Sequence, residues 1–176
     1  MTPIEAATQS VERKLEVSDA IEAPRDHLDW RVSRFSELSP VELARIYRAR
    51  QQVFTIEQQC IYLDADEFDE TAWHIAAWSP QSPVPLAYAR LINPGRKYTE
   101  PSMGRVITTG AARGTGLGRE LVRRVLVHSA QVFPGLAVRI SAQERLSRFY
   151  ADFAFAVVGE PYMEDGIAHI EMLRRP

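Results

Sequence analysis

The sequence predicts a mixed α/β fold: one central, mostly antiparallel sheet of about six to seven strands, flanked by helices. Three observations predict it. The elements read β-α-β-β-β-α-β-α-β-β, so three strands stand together where a doubly wound nucleotide fold would alternate strand and helix. A glycine-rich turn running to Gly118 joins a short β-type run to an amphipathic helix, which supplies one parallel βαβ piece. The chain has 176 residues, 45% of them apolar and 25% charged, which suits a single domain with a real core.

Residues 1–26 carry Pro3 and Pro24 and no apolar period, so they read as a poorly specified N-terminal arm. The domain is then 27–176. From His27 to Phe35, Leu28, Trp30 and Val32 alternate with polar residues, which predicts a half-buried strand. Ser39-Pro40-Val41-Glu42 is a capping box with proline at the first helical position. Leu43, Ile46, Tyr47, Val53 and Phe54 follow at helical spacing, which predicts a helix from Pro40 to about Glu57, bent near its end. Asp64 to Glu70 is an acidic loop, read as solvated or as an attractor of a cationic acceptor. Ala72–Trp78 and Leu86–Ile92 form a hairpin through the Ser79–Pro85 turn.

A central strand at about Ser102 to Thr109 leads into the glycine turn. A helix from about Thr115 to Gln131 then buries Leu117, Leu121, Val122, Val125 and Leu126 and exposes Arg119, Glu120, Arg123 and Arg124. Leu136–Ala142 is the next strand and Gln143–Asp152 the next helix. Phe153–Val158 and Ile167–Met172 close the sheet, joined through Pro161 and Gly166.

Several function classes are excluded or disfavoured. A formal net charge of −2 gives no electrostatic reason to expect nucleic acid. No apolar run approaches the ~18 residues of a membrane span. The single cysteine, Cys60, rules out an internal disulfide and suits a reducing compartment. With no secretory layout at Met1, the expected location is the cytoplasm. His27, His74, His128 and His169 lack metal-ligand spacing, and Phe68 breaks the calcium-loop pattern, so no metal is expected.

The glycine turn carries the chemistry. Backbone N–H groups of Gly114 to Gly118 stand at a helix N-terminus, where the dipole favours anions. Such a turn binds phosphate. A dinucleotide reading of Gly114-x-Gly116-x-Gly118 is weak, because the pattern lies two-thirds along the chain and breaks the usual spacing.

These residues resemble the GNAT acetyltransferase superfamily, and more narrowly its ElaA-type branch. The superfamily hallmark, Gln/Arg-x-x-Gly-x-Gly/Ala, stands here as Arg113-Gly-Thr-Gly116-Leu-Gly118. The branch resemblance covers Trp30 to about Met172. It includes Arg50-x-x-Val53-Phe54-x-x-Glu57-Gln58-x-Cys60-x-Tyr62-x-Asp64, His74-Ile75, Ala87-Tyr-Ala-Arg90-Leu91 and Gly104-Arg105-Val106. It ends with Phe149-Tyr150-x-x-Phe153-x-Phe155 and Glu164-Asp-Gly166-Ile-x-His169-Ile170-x-Met172. Relatives usually place glycine where Ala154 stands, so the turn there is the point of departure.

The resemblance implies an N-acetyltransferase that moves an acetyl group from acetyl-CoA to a primary amine of a small molecule or peptide, by direct attack in a ternary complex. The pyrophosphate would lie on Arg113, Gly114, Thr115, Gly116, Leu117, Gly118 and Arg119, and the pantetheine amides along Val106, Ile107 and Thr108. A free N–H near Ile107 or Thr108 would stabilise the oxyanion. Tyr150 is the family's general acid. Glu57, in the apolar stretch Val53 to Ile56, would gain basicity from burial and is the first candidate base. His74, His169 and a water relay stay open. Cys60 shows no sign of activation and reads as a small buried hydrophobe. A non-catalytic acyl-CoA sensor on the same fold is the alternative, and a homodimer is a family expectation.

Overall fold

A computed structural model describes residues 28–176; the arm at 1–26 lies outside the described residues. The chain forms an eight-stranded sheet: β1 (Asp29–Arg34), β2 (Trp73–Trp78), β3 (Ala87–Ile92), β4 (Ser102–Thr108), β5 (Val138–Gln143), β6 (Phe155–Val157), β7 (Tyr162–Glu164) and β8 (Ile167–Arg174). Among the described residues three α-helices accompany it: α1 (Pro40–Gln51), α2 (Leu117–Val132) and α3 (Ser147–Ala151). The strands lie in the order β1-β2-β3-β4-β5-β8-β6, and β7 also pairs with β8. Only the β4–β5 pair is parallel. Strand β7 is one more than the sequence reading found; all three of its residues are exposed, so no apolar alternation marks it.

Helix α1 starts as its capping box predicts. The Ser39 hydroxyl accepts from Glu42 N–H at 3.2 Å, and the Glu42 carboxylate accepts from Ser39 N–H at 2.9 Å. The expected bend is a π-helical segment, Gln52–Glu57, in which Gln58 N–H reaches the Val53 carbonyl at 3.0 Å. Single-turn π segments of this kind frequently sit at functional sites.

The sheet has two unequal coverings. On one face α2 and α3 pack over Ile75, Ala89, Leu91, Met103, Ile140, Ala142 and Met172 in one continuous core. On the other face α1 and the π segment place Ile46, Ala49 and Val53 over Ala76, Tyr88 and Ile107. Strands β2 and β3 are therefore buried on both sides, whereas β5 alternates between buried and half-buried residues. Among the described residues no helix covers the outer face of β5, β8 and β7.

Candidate active site

Parallel strands β4 and β5 meet at a single pair, Ser102 with Arg139, and then diverge. The cause lies in β4. Opposite β3, Tyr88 faces Ile107 and Arg90 faces Gly104, so Arg105 and Val106 together oppose Ala89. That extra residue is a β-bulge, which bends and twists the strand. Arg105 pays for it with a left-handed backbone, φ 52°, a conformation costing a non-glycine residue about 1 kcal/mol. Its side chain is held in return: Nε lies 2.8 Å from the Asp64 carboxylate, and the guanidinium lies 5.0 Å from the Tyr62 ring centre. The wedge between the strands is a cleft of about 310 Å³.

The ladder decides which amides face this cleft. Thr109 N–H donates to the Leu86 carbonyl on β3 at 3.0 Å. By alternation Ile107 also points toward β3, and the N–H groups of Val106 and Thr108 point to the open edge. Of the two amides expected for the oxyanion, Ile107 is thus engaged in the sheet and Thr108 is free of it. Val106 lines the cleft. Beyond Thr108 the chain enters the glycine turn, which flanks the open end of the same strand. Gly114 and Gly116 take φ 77° and 87°, which glycine adopts without strain. Gly116 is the N-cap of α2, and the first helical bonds run from Arg119 and Glu120 back to its carbonyl. The N–H groups of Leu117 and Gly118 precede those bonds and have no intrahelical acceptor. Thr115 caps the turn through its hydroxyl, 2.8 Å from the Ala112 carbonyl. Leu117 anchors the helix start in the core.

The two loop arginines have different tasks. Arg113 donates through Nε to the Thr108 carbonyl at 3.2 Å and pairs with Glu57. Arg119 pairs with Asp152 and lies over the Phe149 and Phe153 rings, tying α2 to the end of α3.

Tyr150 stands on α3 with 6% of its surface exposed, its ring edge-on to Phe149 and Phe155. It lines the cleft, and its hydroxyl has no hydrogen-bond partner among the described residues. Burial pushes the phenol above its ordinary pKa, so it stays protonated and able to donate.

The candidate bases separate clearly. Glu57 departs from expectation: it is exposed rather than buried, its neighbour Ile56 is 64% exposed, and its carboxylate is held by Arg113 outside the cleft lining. The π segment rolls this stretch outward, turning Phe54 and Gln58 to the cleft instead. His74 is a satisfied core residue: Nδ1 lies 2.8 Å from the Tyr88 hydroxyl and Nε2 2.9 Å from the Asp69 carbonyl. Burial holds its pKa below the ordinary histidine value. His169 lines the cleft, with Nδ1 2.9 Å from the Ile167 carbonyl. A carbonyl can only accept, so Nδ1 carries the proton of the neutral ring and Nε2 keeps a free lone pair.

The acidic loop is solvated only in part, with Glu67 and Glu70 exposed. Asp64 and Asp69 are 7% and 1% exposed. Arg50, fully buried on α1, contacts Asp64 at 2.8 Å and Asp69 at 2.7 Å, and Arg90 on β3 contacts Asp69 at 2.7 Å. Burial works against the charge on Asp69, but the two guanidinium groups outweigh it and hold its carboxyl below the ordinary range. The loop is a buried ionic clamp joining α1, β3 and the β4 bulge. Cys60 is 5% exposed at the cleft wall, and burial pushes its thiol up, away from the reactive thiolate.

The closing hairpin adds cleft residues to which the sequence assigns no site role. Asp165-Gly166 turns with φ 50° and 78°, as a two-residue hairpin turn requires, and joins β7 to β8. This hairpin brings Glu164 and Asp165 to the cleft. The Asp-Gly pair was the signal. Among the described residues no cluster of His, Cys, Asp and Glu is arranged to hold a metal ion, and no helix is long and apolar enough to cross a membrane.

Known proteins share this fold. The family model described as an acetyltransferase (GNAT) domain matches residues 53–175. Protein ElaA of Escherichia coli is 37% identical over 149 residues, 84% of this chain and 96% of that protein. A UPF0039 protein of Synechocystis is 43% identical over 148 residues, again 84% of this chain and 96% of its own length. Among solved structures, an acyl-CoA N-acyltransferase from Pseudomonas aeruginosa superposes with a TM-score of 0.80 at 37% identity, covering 84% of this chain and 99% of that one. E. coli ElaA superposes with a TM-score of 0.79 at 35% identity, over 85% of this chain and all of that one.

Proposed function

Because the chain belongs to the GNAT acetyltransferase family, we propose that it transfers an acetyl group from acetyl-CoA to a primary amine by direct attack in a ternary complex. The observation that carries this reading is the bulged, half-unpaired β4 with Tyr150 in the same cleft. The open edge at Val106 and Thr108 suits the pantetheine amides, as an added strand would pair with it. The bare N–H groups at Leu117 and Gly118, with Arg113 beside them, suit the pyrophosphate. We assign the general base to His169 rather than Glu57, because its Nε2 is free inside the cleft.

The proton balance closes as follows. His169 Nε2 takes the proton of the acceptor ammonium and passes it to water. The freed nitrogen bonds to the thioester carbon while Thr108 N–H supports the oxygen. The carbon–sulfur bond breaks, its electron pair leaves on sulfur, and the Tyr150 hydroxyl protonates that sulfur. The proton shed by the new amide nitrogen restores the phenol.

A thiol-release screen with acetyl-CoA across amine classes tests the proposal. Amine-dependent release with no acetyl-enzyme formed in the absence of acceptor is the expected result. Tight coenzyme A binding without release for any amine would reduce the protein to an acyl-CoA-binding module.

A further inference from the structure

The uncovered face of β5, β8 and β7 forms the acceptor side of the cleft. Alternation brings Arg139, Ser141 and Gln143 of β5 to this face, opposite His169 and Glu171 of β8. Arg139 is shared by two carboxylates, reaching Glu100 at 2.9 Å and Glu171 at 2.8 Å. Glu164 accepts from the Ser141 hydroxyl at 3.3 Å, and Ser141 meets the Tyr162 hydroxyl at 2.5 Å. Neither Glu164 nor Asp165 has an ion-pair partner among the described residues, and both line the cleft. Four cations line the cleft: Arg90 and Arg105 are held by Asp64, Asp66 and Asp69, and two more have no ion pair among the described residues. Lys97 lies over the Tyr98 ring at 5.4 Å, and Arg145 donates to the Gln143 side chain at 3.1 Å, toward the Tyr150 end. On the platform itself, therefore, Glu100, Glu164, Asp165 and Glu171 face only Lys97 and Arg139.

Neighbouring groups register that imbalance. The Tyr98 and Tyr162 phenols are pushed up by burial first, and the Glu164 and Glu171 carboxylates push in the same direction. On the Cys60 thiol, burial acts first, the charge of Asp165 acts in the same sense, and Arg105 acts against it. Aromatic faces complete the lining: Tyr62 stands at the cleft, and Tyr162 stacks on His169 with centroids 6.2 Å apart. Glu164 and Asp165, carboxylates without an ion-pair partner among the described residues, stand with these phenol rings and form a seat for an ammonium group.

We propose that the acceptor carries a second ammonium group: it is an aliphatic di- or polyamine whose distal cation is held by Glu164 and Asp165. This rests on the acyl-transfer reading above and adds the substrate class. One amine loses its proton and reacts near His169 and Tyr150. The other stays charged at the hairpin turn and fixes the orientation of the chain.

The test compares cadaverine, pentylamine and δ-aminovalerate, which share a five-carbon amine and differ at the far end. Thiol release should give cadaverine a kcat/KM about tenfold above pentylamine, with δ-aminovalerate below both, as charge complementarity at a partly exposed site allows. The advantage should shrink as salt rises. In the double variant Glu164→Gln, Asp165→Asn the cadaverine-to-pentylamine ratio should fall toward one. Glutamine keeps an acceptor for Ser141, and asparagine tolerates the left-handed turn at position 165, so the hairpin survives. Glu160→Gln, away from the cleft, should leave the ratio unchanged. A ratio near one in the parent protein, or a preference for δ-aminovalerate, overturns the inference. If no amine is acylated, calorimetry with the coenzyme A-loaded protein decides alone. Saturable cadaverine binding lost in the double variant upholds the seat while the acyl-transfer reading fails, and no saturable binding overturns both.

Discussion

Tyr150→Phe isolates the proposed proton donor. The ring is buried and packed edge-on to Phe149 and Phe155, and phenylalanine fills the same volume. The hydroxyl has no partner among the described residues, so its removal leaves no orphaned group. The stability change should stay within about 0.5 kcal/mol. Loss of a general acid typically removes about two to four decades of rate. At 1.36 kcal/mol per decade, the smallest expected effect, a hundredfold fall in kcat, is about 2.7 kcal/mol of transition-state stabilisation. The assay is steady-state thiol release at saturating acetyl-CoA, alongside a thermal melt and coenzyme A titration of the same preparation. Binding and melting should match the parent protein while kcat collapses. A kcat within threefold of the parent would refute the acid role, and a melt lowered by several degrees would show that the hydroxyl serves packing instead.

Three further outcomes follow from the same geometry. Glu57→Gln should tighten coenzyme A binding severalfold, because the carboxylate that occupies Arg113 is gone, and should leave kcat within threefold; His169→Gln should instead depress kcat about a hundredfold or more. The reverse pattern would return the base to Glu57. Ala154 holds φ 63°, so Ala154→Gly should relieve about 1 kcal/mol of backbone strain, partly offset in the unfolded chain, and raise the melting temperature by about 2 °C. An unchanged or lower melt would show that the turn is not strained. Burial lowers the pKa of both His74 and His128. The unfolded chain therefore binds protons that the native one refuses, and stability should fall as pH drops below about 6.5, by up to about 1.4 kcal/mol per proton per pH unit. Urea titrations at pH 7 and pH 5 read this directly, and His74→Gln should flatten the slope; equal stability at both values would contradict the burial argument.

Most of the sheet was legible because β5 carries a two-residue apolar period, β2 and β3 are short apolar runs, and α2 has a clear stripe. The Ser39–Glu42 box marked the start of α1, and the glycines marked the loop, since both signals are local. What escaped is non-local. Arg50, Arg90 and Arg105 lie far from Asp64 and Asp69 in sequence, and nothing in the loop composition distinguishes a buried clamp from a solvated run. The apolar neighbours of Glu57 implied burial, but the π segment turned that stretch outward. The β4 bulge puts a non-glycine residue in a left-handed conformation, so no residue type announced it.

A sheet that parts in its middle carries two raw rims of peptide groups, a hazard that folds ordinarily confine to their outermost strands. Here geometry limits trespass. The rims start one strand spacing apart at Ser102 and Arg139 and open gradually, whereas a whole intruding strand needs about twice that spacing, some 9.6 Å, along its full length. Next to that pair the wedge is too narrow for a whole intruding strand. The same taper that leaves the peptide groups bare thus screens what can reach them.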